Sequence, residues 1–227
     1  QGNSAVSWLV DSAISTWANN LVVNTDTAGA NELVAALATL PAGTPVLPYG
    51  HADLSAMVRG GKQAEVGEII TRTVQTAAGG PIFYTPASGE SDRTTTALLN
   101  QQNIKSIISN DSIHDNERET TTASVTSSSN QVLVFDVAAS KCLIDMETNE
   151  DSFFRATTCI KAELGMITAE SPQSARSIIV LAPANWKVSS IGLTELLLQL
   201  SNHNWMQLAP LQEIAAQEAT ESFIALK

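Results

Sequence analysis

The chain is a succession of short apolar runs, each closing on polar or ring-bearing residues: AVSWLVD (5–11), PVLPYGHAD (45–53), PIFYTPASG (81–89), IKSIISND (104–111), QVLVFD (131–136) and SIIVLAPANW (177–186). Helix-length amphipathic stretches separate most of them. This alternation predicts βα units on a mostly parallel sheet, open or curled into a barrel. In 227 residues it fits one α/β domain spanning 1–227, an incomplete seven-stranded βα barrel. Folds of this kind place their sites at the carboxyl ends of the strands, so the residues that follow each run are the first functional candidates.

Element by element, Ala5–Val10 reads as the first strand, followed by a helix carrying Leu33, Val34, Leu37 and Leu40 and stopped by Pro41 and Gly43. The second strand lies at Pro45–Tyr49, and Asp53 is placed to cap the next apolar turn, which Gly60 and Gly61 end. A helix through Val66, Ile69, Ile70 and Val74 leads to strand three at Pro81–Tyr84, after which Ser91 or Asp92 caps another helix. Strand four ends at Asn110-Asp111. The polar stretch at about 111–130 reads as an edge hairpin with a flexible tip or as a disordered insertion. Strand five, QVLVFD, is apolar on both faces and therefore central. A long helix through Phe153, Ala156, Ile160, Leu164 and Ile167 follows, then strand six at Ser177–Ala182 and a helix with Leu193, Leu196, Leu197 and Leu200. Trp205-Met206 is a candidate seventh strand, and Pro210 opens a terminal helix.

Twelve Lys and Arg against 23 Asp and Glu give a net charge of −11. Nucleic acid and anionic membrane surfaces need clustered cations, so neither is an expected partner. Charged residues are only 15% of the chain, leaving a surface solvated by hydroxyls and amides, in keeping with an extracellular protein. No apolar run approaches the roughly 20 residues of a membrane span. The opening QGNSAVSW lacks the charged and apolar regions of a signal peptide, so the chain reads as a mature or excised segment. Cys142 and Cys159 pair if the compartment is oxidising, or are two separate small core hydrophobes; neither has a second Cys or His at metal-ligand spacing.

Four aspartates, Asp11, Asp53, Asp111 and Asp136, are predicted at one edge. A glycosidase needs two carboxyl groups roughly 5 to 9.5 Å apart across a cleft; the competing role for strand-end carboxylates is to bond backbone amides of the following helix. A metal-dependent deacetylase needs an aspartate and two histidines one helical turn apart. His51, His114 and His203 have no such spacing, which leaves Asp11, His51 and Asp53 as the one mixed-ligand alternative. Neither GxSxG nor a phosphate-binding glycine loop is present, and no cofactor is expected. Tyr49, Tyr84, Trp186 and Trp205 lie at or beyond strand ends, where rings stack on sugar faces or fill the mouth of a barrel; Trp8 and Trp17 are expected as core and cap residues beside strand one.

The segments VSWLVDSAI, PVLPYGHADLSAMVR, RSIIVLAPANW and NWMQLAPLQEI resemble, in that order and over nearly the whole chain, a family of uncharacterised actinobacterial envelope proteins. The resemblance implies a secreted domain, anchored by a membrane helix outside it and commonly encoded beside the lipid II flippase. Two departures stand out: His51 replaces the family's usual acidic residue, and Ser12 its usual proline. More distantly, the element order is similar to the incomplete barrels of polysaccharide deacetylases and related glycoside hydrolases. The expectation is a non-catalytic extracytoplasmic domain that binds a cell-wall saccharide, or a partner protein of wall synthesis, through Tyr49, His51, Tyr84, Asp111 and Trp186. The alternative is a carbohydrate-active hydrolase or deacetylase with a reduced site on Asp11, Asp53 and Asp136.

Overall fold

The computed structural model describes residues 6–25, 28–77, 79–113, 123–127, 130–144, 146, 150–184, 186–219 and 221–222. Among these the chain is mixed α/β with short sheets. It divides into two compact units, Ser7–Ile107 and, with the extreme N-terminus, Ile108–Lys227. His114 and the polar stretches 114–122 and 128–129 lie outside the described residues.

The first unit begins with β1 (Val10–Asp11), α1 (Ile14–Thr25), α2 (Ala28–Ala38) and β2 (Val46–Leu47). A 3-10 turn at Tyr49–His51 leads to α3 (Leu54–Arg59), α4 (Gln63–Thr76), β3 (Phe83–Tyr84), α5 (Arg93–Gln101) and β4 (Lys105–Ser109), whose last two residues belong to the second unit. β1 pairs in parallel with β2, and β3 with β4, while a parallel bridge joins Val46 to Ile82. Strands one to three are shorter than their apolar runs. Pro45 and Pro48 bracket β2, and Pro81 precedes β3; proline has no N–H to extend a ladder. At Gly80 a Cβ would strike the Thr44 carbonyl oxygen, so only glycine lets these two chain segments approach.

The core of this unit is built from α3, α4, β3 and α5. Val66 and Ile70 are one helical turn apart on α4 and pack with Leu54, Val58, Tyr84, Leu99 and Ile104. The expected helix through Leu33 and Leu37 is α2, but a separate helix, α1, precedes it. Trp8 and Trp17 are not core residues as expected; both are about half exposed.

In the second unit β5 (Ser124–Ser127) pairs antiparallel with β6 (Asn130–Phe135), and β7 (Glu221–Ser222) lies parallel to β5. α6 (Val137–Lys141), α7 (Glu150–Glu170), α8 (Ser190–Ser201) and α9 (Leu211–Ala216) complete it. Cys142 and Cys159 form a disulfide that ties the end of α6 to α7. The cystine sits in the core with Leu143, Met146, Ala156, Ile160, Leu196 and Leu200. A smaller cluster joins Ile108 to Val132 and Val134.

Two expected strands are not formed here. Ser177–Ala182 contributes one parallel bridge, Ile179 to Phe135. Its other backbone groups are taken up irregularly: Leu181 N–H donates to Ser140 Oγ, and the Ser177 carbonyl accepts from Ala123. Trp205-Met206 follows a turn in which Met206 N–H bonds the His203 carbonyl. The pairings therefore show an α/β chain with short parallel sheets, and a seven-stranded barrel is not among them.

Candidate functional site

The strand-end carboxylates differ in how far their oxygens are occupied. Asp136 caps α6, its Oδ1 accepting from Ala139 N–H at 2.8 Å, while its Oδ2 accepts from Asn110 Nδ2 at 3.1 Å. Asn110 Oδ1 in turn accepts from Val137 N–H. Asp136 is only 8% exposed, and both of its oxygens are bonded within the fold. Asp111, in the same turn as Asn110, is exposed.

Asp53 caps α3 as expected, its Oδ1 accepting from Ala56 N–H at 3.0 Å. The same oxygen lies 3.0 Å from the Tyr84 hydroxyl, which accepts from Ser55 N–H and lies 3.0 Å from Ser55 Oγ. A single phenolic proton directed at a carboxylate leaves the phenol oxygen to accept the other bonds. The chain of hydroxyls continues from Ser55 through Ser91 to Thr96, all buried. Burial pushes the Tyr84 phenol up to about 12. Tyr84 was expected to face a ligand, but it is fully buried and has no ring surface for a sugar; its hydroxyl locks α3 onto β3 instead.

Asp11 is different. It is half-buried at the end of β1, and Oδ1 accepts from Ala13 N–H at 2.8 Å and from Gly50 N–H at 3.0 Å. Among the described residues Oδ2 has no hydrogen-bond partner. The Gly50 bond is one of three that fix the turn after β2. Tyr49 N–H donates to Thr73 Oγ1 of α4, and His51 Nε2 lies 3.2 Å from Thr85 Oγ1. Gly50 and His51 both have positive φ, 70° and 46°. Glycine adopts that conformation readily, whereas at a histidine it costs conformational energy, which the surrounding bonds offset. His51 itself is exposed. Among the described residues no three His, Cys, Asp or Glu side chains gather to hold an ion, so Asp11, His51 and Asp53 do not form the mixed-ligand trio.

The pinned turn carries Tyr49 to one wall of an open cleft of about 430 Å³, lined also by Asp11, Ala13, Ile14, Thr16, Trp17 and Asn20. Its size is near the lower end for small-molecule sites. Ile14 and Trp17, and Thr16 and Asn20, are pairs about one helical turn apart on α1, and with Ala13 just before the helix they form the other wall. Trp17 is 56% exposed, and the Arg72 guanidinium sits 5.8 Å from the Tyr49 ring centroid. Of the seven lining residues only Asp11 carries a formal charge. Tyr49 and Asp11, expected at a site, thus meet here; Trp17, Thr16 and Asn20 were not foreseen. The signal for them was STWANN (15–20), a tryptophan set among hydroxyls and amides.

Trp186 is half-buried against the disulfide core, with its indole N–H buried and lacking a partner among the described residues. That is a packing role rather than an open stacking surface. No helix among the described residues is long and apolar enough to cross a membrane. No protein-family model matches the chain, and no curated protein matches it significantly.

Proposed function

We propose that the chain is a non-catalytic extracytoplasmic domain of a bacterial cell envelope, held at the membrane by a helix outside it, and that it binds a cell-wall saccharide. The incomplete-barrel architecture belongs to this proposal, as does the likeness to the actinobacterial envelope family. The observation that carries the reading is the cleft. Trp17, Tyr49, Asp11, Thr16 and Asn20 line one concavity, a set of residue types that stacks on a sugar face and bonds its hydroxyls. The hydrolase alternative is less well supported. Asp53 and Asp136 act as helix caps, and Asp136 has neither oxygen available.

Co-sedimentation with insoluble peptidoglycan tests the proposal. The wild-type domain is expected in the pellet, and Trp17→Ala, on an exposed face of α1, in the supernatant. Equal sedimentation of the two proteins overturns the assignment to this cleft. Release of sugar or acetate that depends on Asp11 overturns the non-catalytic reading.

A specific observation favours a protein partner as second reading. Ile191 and Leu198, two helical turns apart on one face of α8, are 81% and 51% exposed. Cross-linking from Leu198→Cys to a protein of wall synthesis would support it; monomeric behaviour with no cross-link in intact cells would count against it.

A further inference from the structure

The geometry points to a cationic ligand: the cleft between α1 and the Tyr49 turn recognises a protonated amine on its saccharide. This inference rests on the reading of the cleft as a saccharide site and deepens it. In a cleft for neutral, N-acetylated sugars a carboxylate serves only as an acceptor for hydroxyls, whereas beside an exposed ring it also holds an ammonium group. Here the only formally charged lining residue is Asp11. Its Oδ1 is held by two backbone N–H groups, which fixes the carboxylate in place, while Oδ2 has no protein partner among the described residues. A fixed anion with one open oxygen beside an exposed indole is the arrangement that binds an ammonium group, by a charge-assisted hydrogen bond and by attraction to the ring face. Arg72 already sits over Tyr49, so the Trp17 ring is the one left for the ligand. Arg72 does not line the cleft and forms no ion pair with Asp11 among the described residues. The net charge of −11 adds a long-range attraction for cations. The ligand class is therefore a wall saccharide bearing a free primary amine, such as a de-N-acetylated amino sugar.

Isothermal titration calorimetry of the whole chain tests this with three probes at mildly acidic pH, where the amines are protonated: an oligomer of glucosamine, the same oligomer N-acetylated, and lysine amide as an ammonium without sugar. Two variants accompany them. Asp11→Asn keeps an oxygen to accept from Ala13 and Gly50 and removes the charge, and Trp17→Ala removes the ring. The glucosamine oligomer is expected to bind at least about tenfold more tightly than the acetylated one. Asp11→Asn is expected to erase that preference, and added salt to weaken it. Equal binding of both oligomers, or tighter binding of the acetylated one, with loss in Trp17→Ala overturns the amine inference and leaves the saccharide reading standing. Binding of lysine amide as tight as that of the glucosamine oligomer, with no binding of the acetylated oligomer, keeps the ammonium site and removes the saccharide reading. Absence of binding by any amine probe overturns the inference outright.

Discussion

Asp136 and Asp11 occupy equivalent places, each at the end of a strand that feeds a helix, yet they behave differently. Asp136 is buried and has both oxygens bonded, one to the first turn of α6 and one to Asn110. Asp11 is half-buried, lines a cleft, and serves two N–H groups with one oxygen, the other having no hydrogen-bond partner among the described residues. The difference lies in the neighbours. Asn110 offers a side-chain amide to Asp136, whereas opposite Asp11 stands glycine, which offers only its backbone. A strand-end aspartate holds the backbone amides that follow it, and whether its second oxygen is also engaged depends on the side chains its neighbours offer.

That contrast orders the expected losses. Asp136→Ala removes a cap and a buried side-chain bond and leaves Asn110 Nδ2 without its acceptor, a cost of about 3 kcal/mol; a shift in denaturation midpoint worth less than about 1 kcal/mol would erase the contrast. Tyr84→Phe leaves the Ser55 N–H without its acceptor and Asp53 without its donor, at a cost of about 2 kcal/mol. The same tyrosine gives a pH signature. Its folded pKa of about 12 lies above the ordinary value near 10, so its contribution is fully present below pH about 10 and is lost as the pH rises toward about 12. Wild-type stability measured across that window should fall, and Tyr84→Phe should fall less; parallel curves would place the effect elsewhere.

Smaller effects sharpen the comparison from the other side. Asp11→Ala loses two bonds at a partly solvated turn and should cost about 1 kcal/mol. Asp11→Asn retains an acceptor for both N–H groups and should change stability by less than about 0.5 kcal/mol. A large loss in Asp11→Asn would mean that the charge itself holds the Tyr49 turn, and the division between cap and binding group would collapse.

The caps were legible because they depend on spacing alone. Asp53 before LSAM and Asp92 before RTTT both sit where a first turn exposes N–H groups. The sixth and seventh strands were misread because an apolar run states only that a segment is covered. Whether its N–H groups enter a ladder depends on partners such as Ser140 Oγ that no local pattern reveals. Two of the seven cleft residues were legible for the same reason: Asp11 and Tyr49 were placed by strand ends. Trp17 was not, since a tryptophan in a helix of mixed periodicity is assigned to the core until the helix's inner face is known to be Ala18.

The turn at Tyr49–His51 is bonded at three successive residues to three separate parts of its unit. Such a segment has no slack. Its length is therefore under tighter constraint than its composition: one inserted residue between Pro48 and Ala52 would put every anchor out of phase at once, while a change of side chain at a single position would release one. It also arrives already ordered, so a ligand that meets Tyr49 need not freeze the loop that presents it, and little of its affinity is lost to restraining the protein.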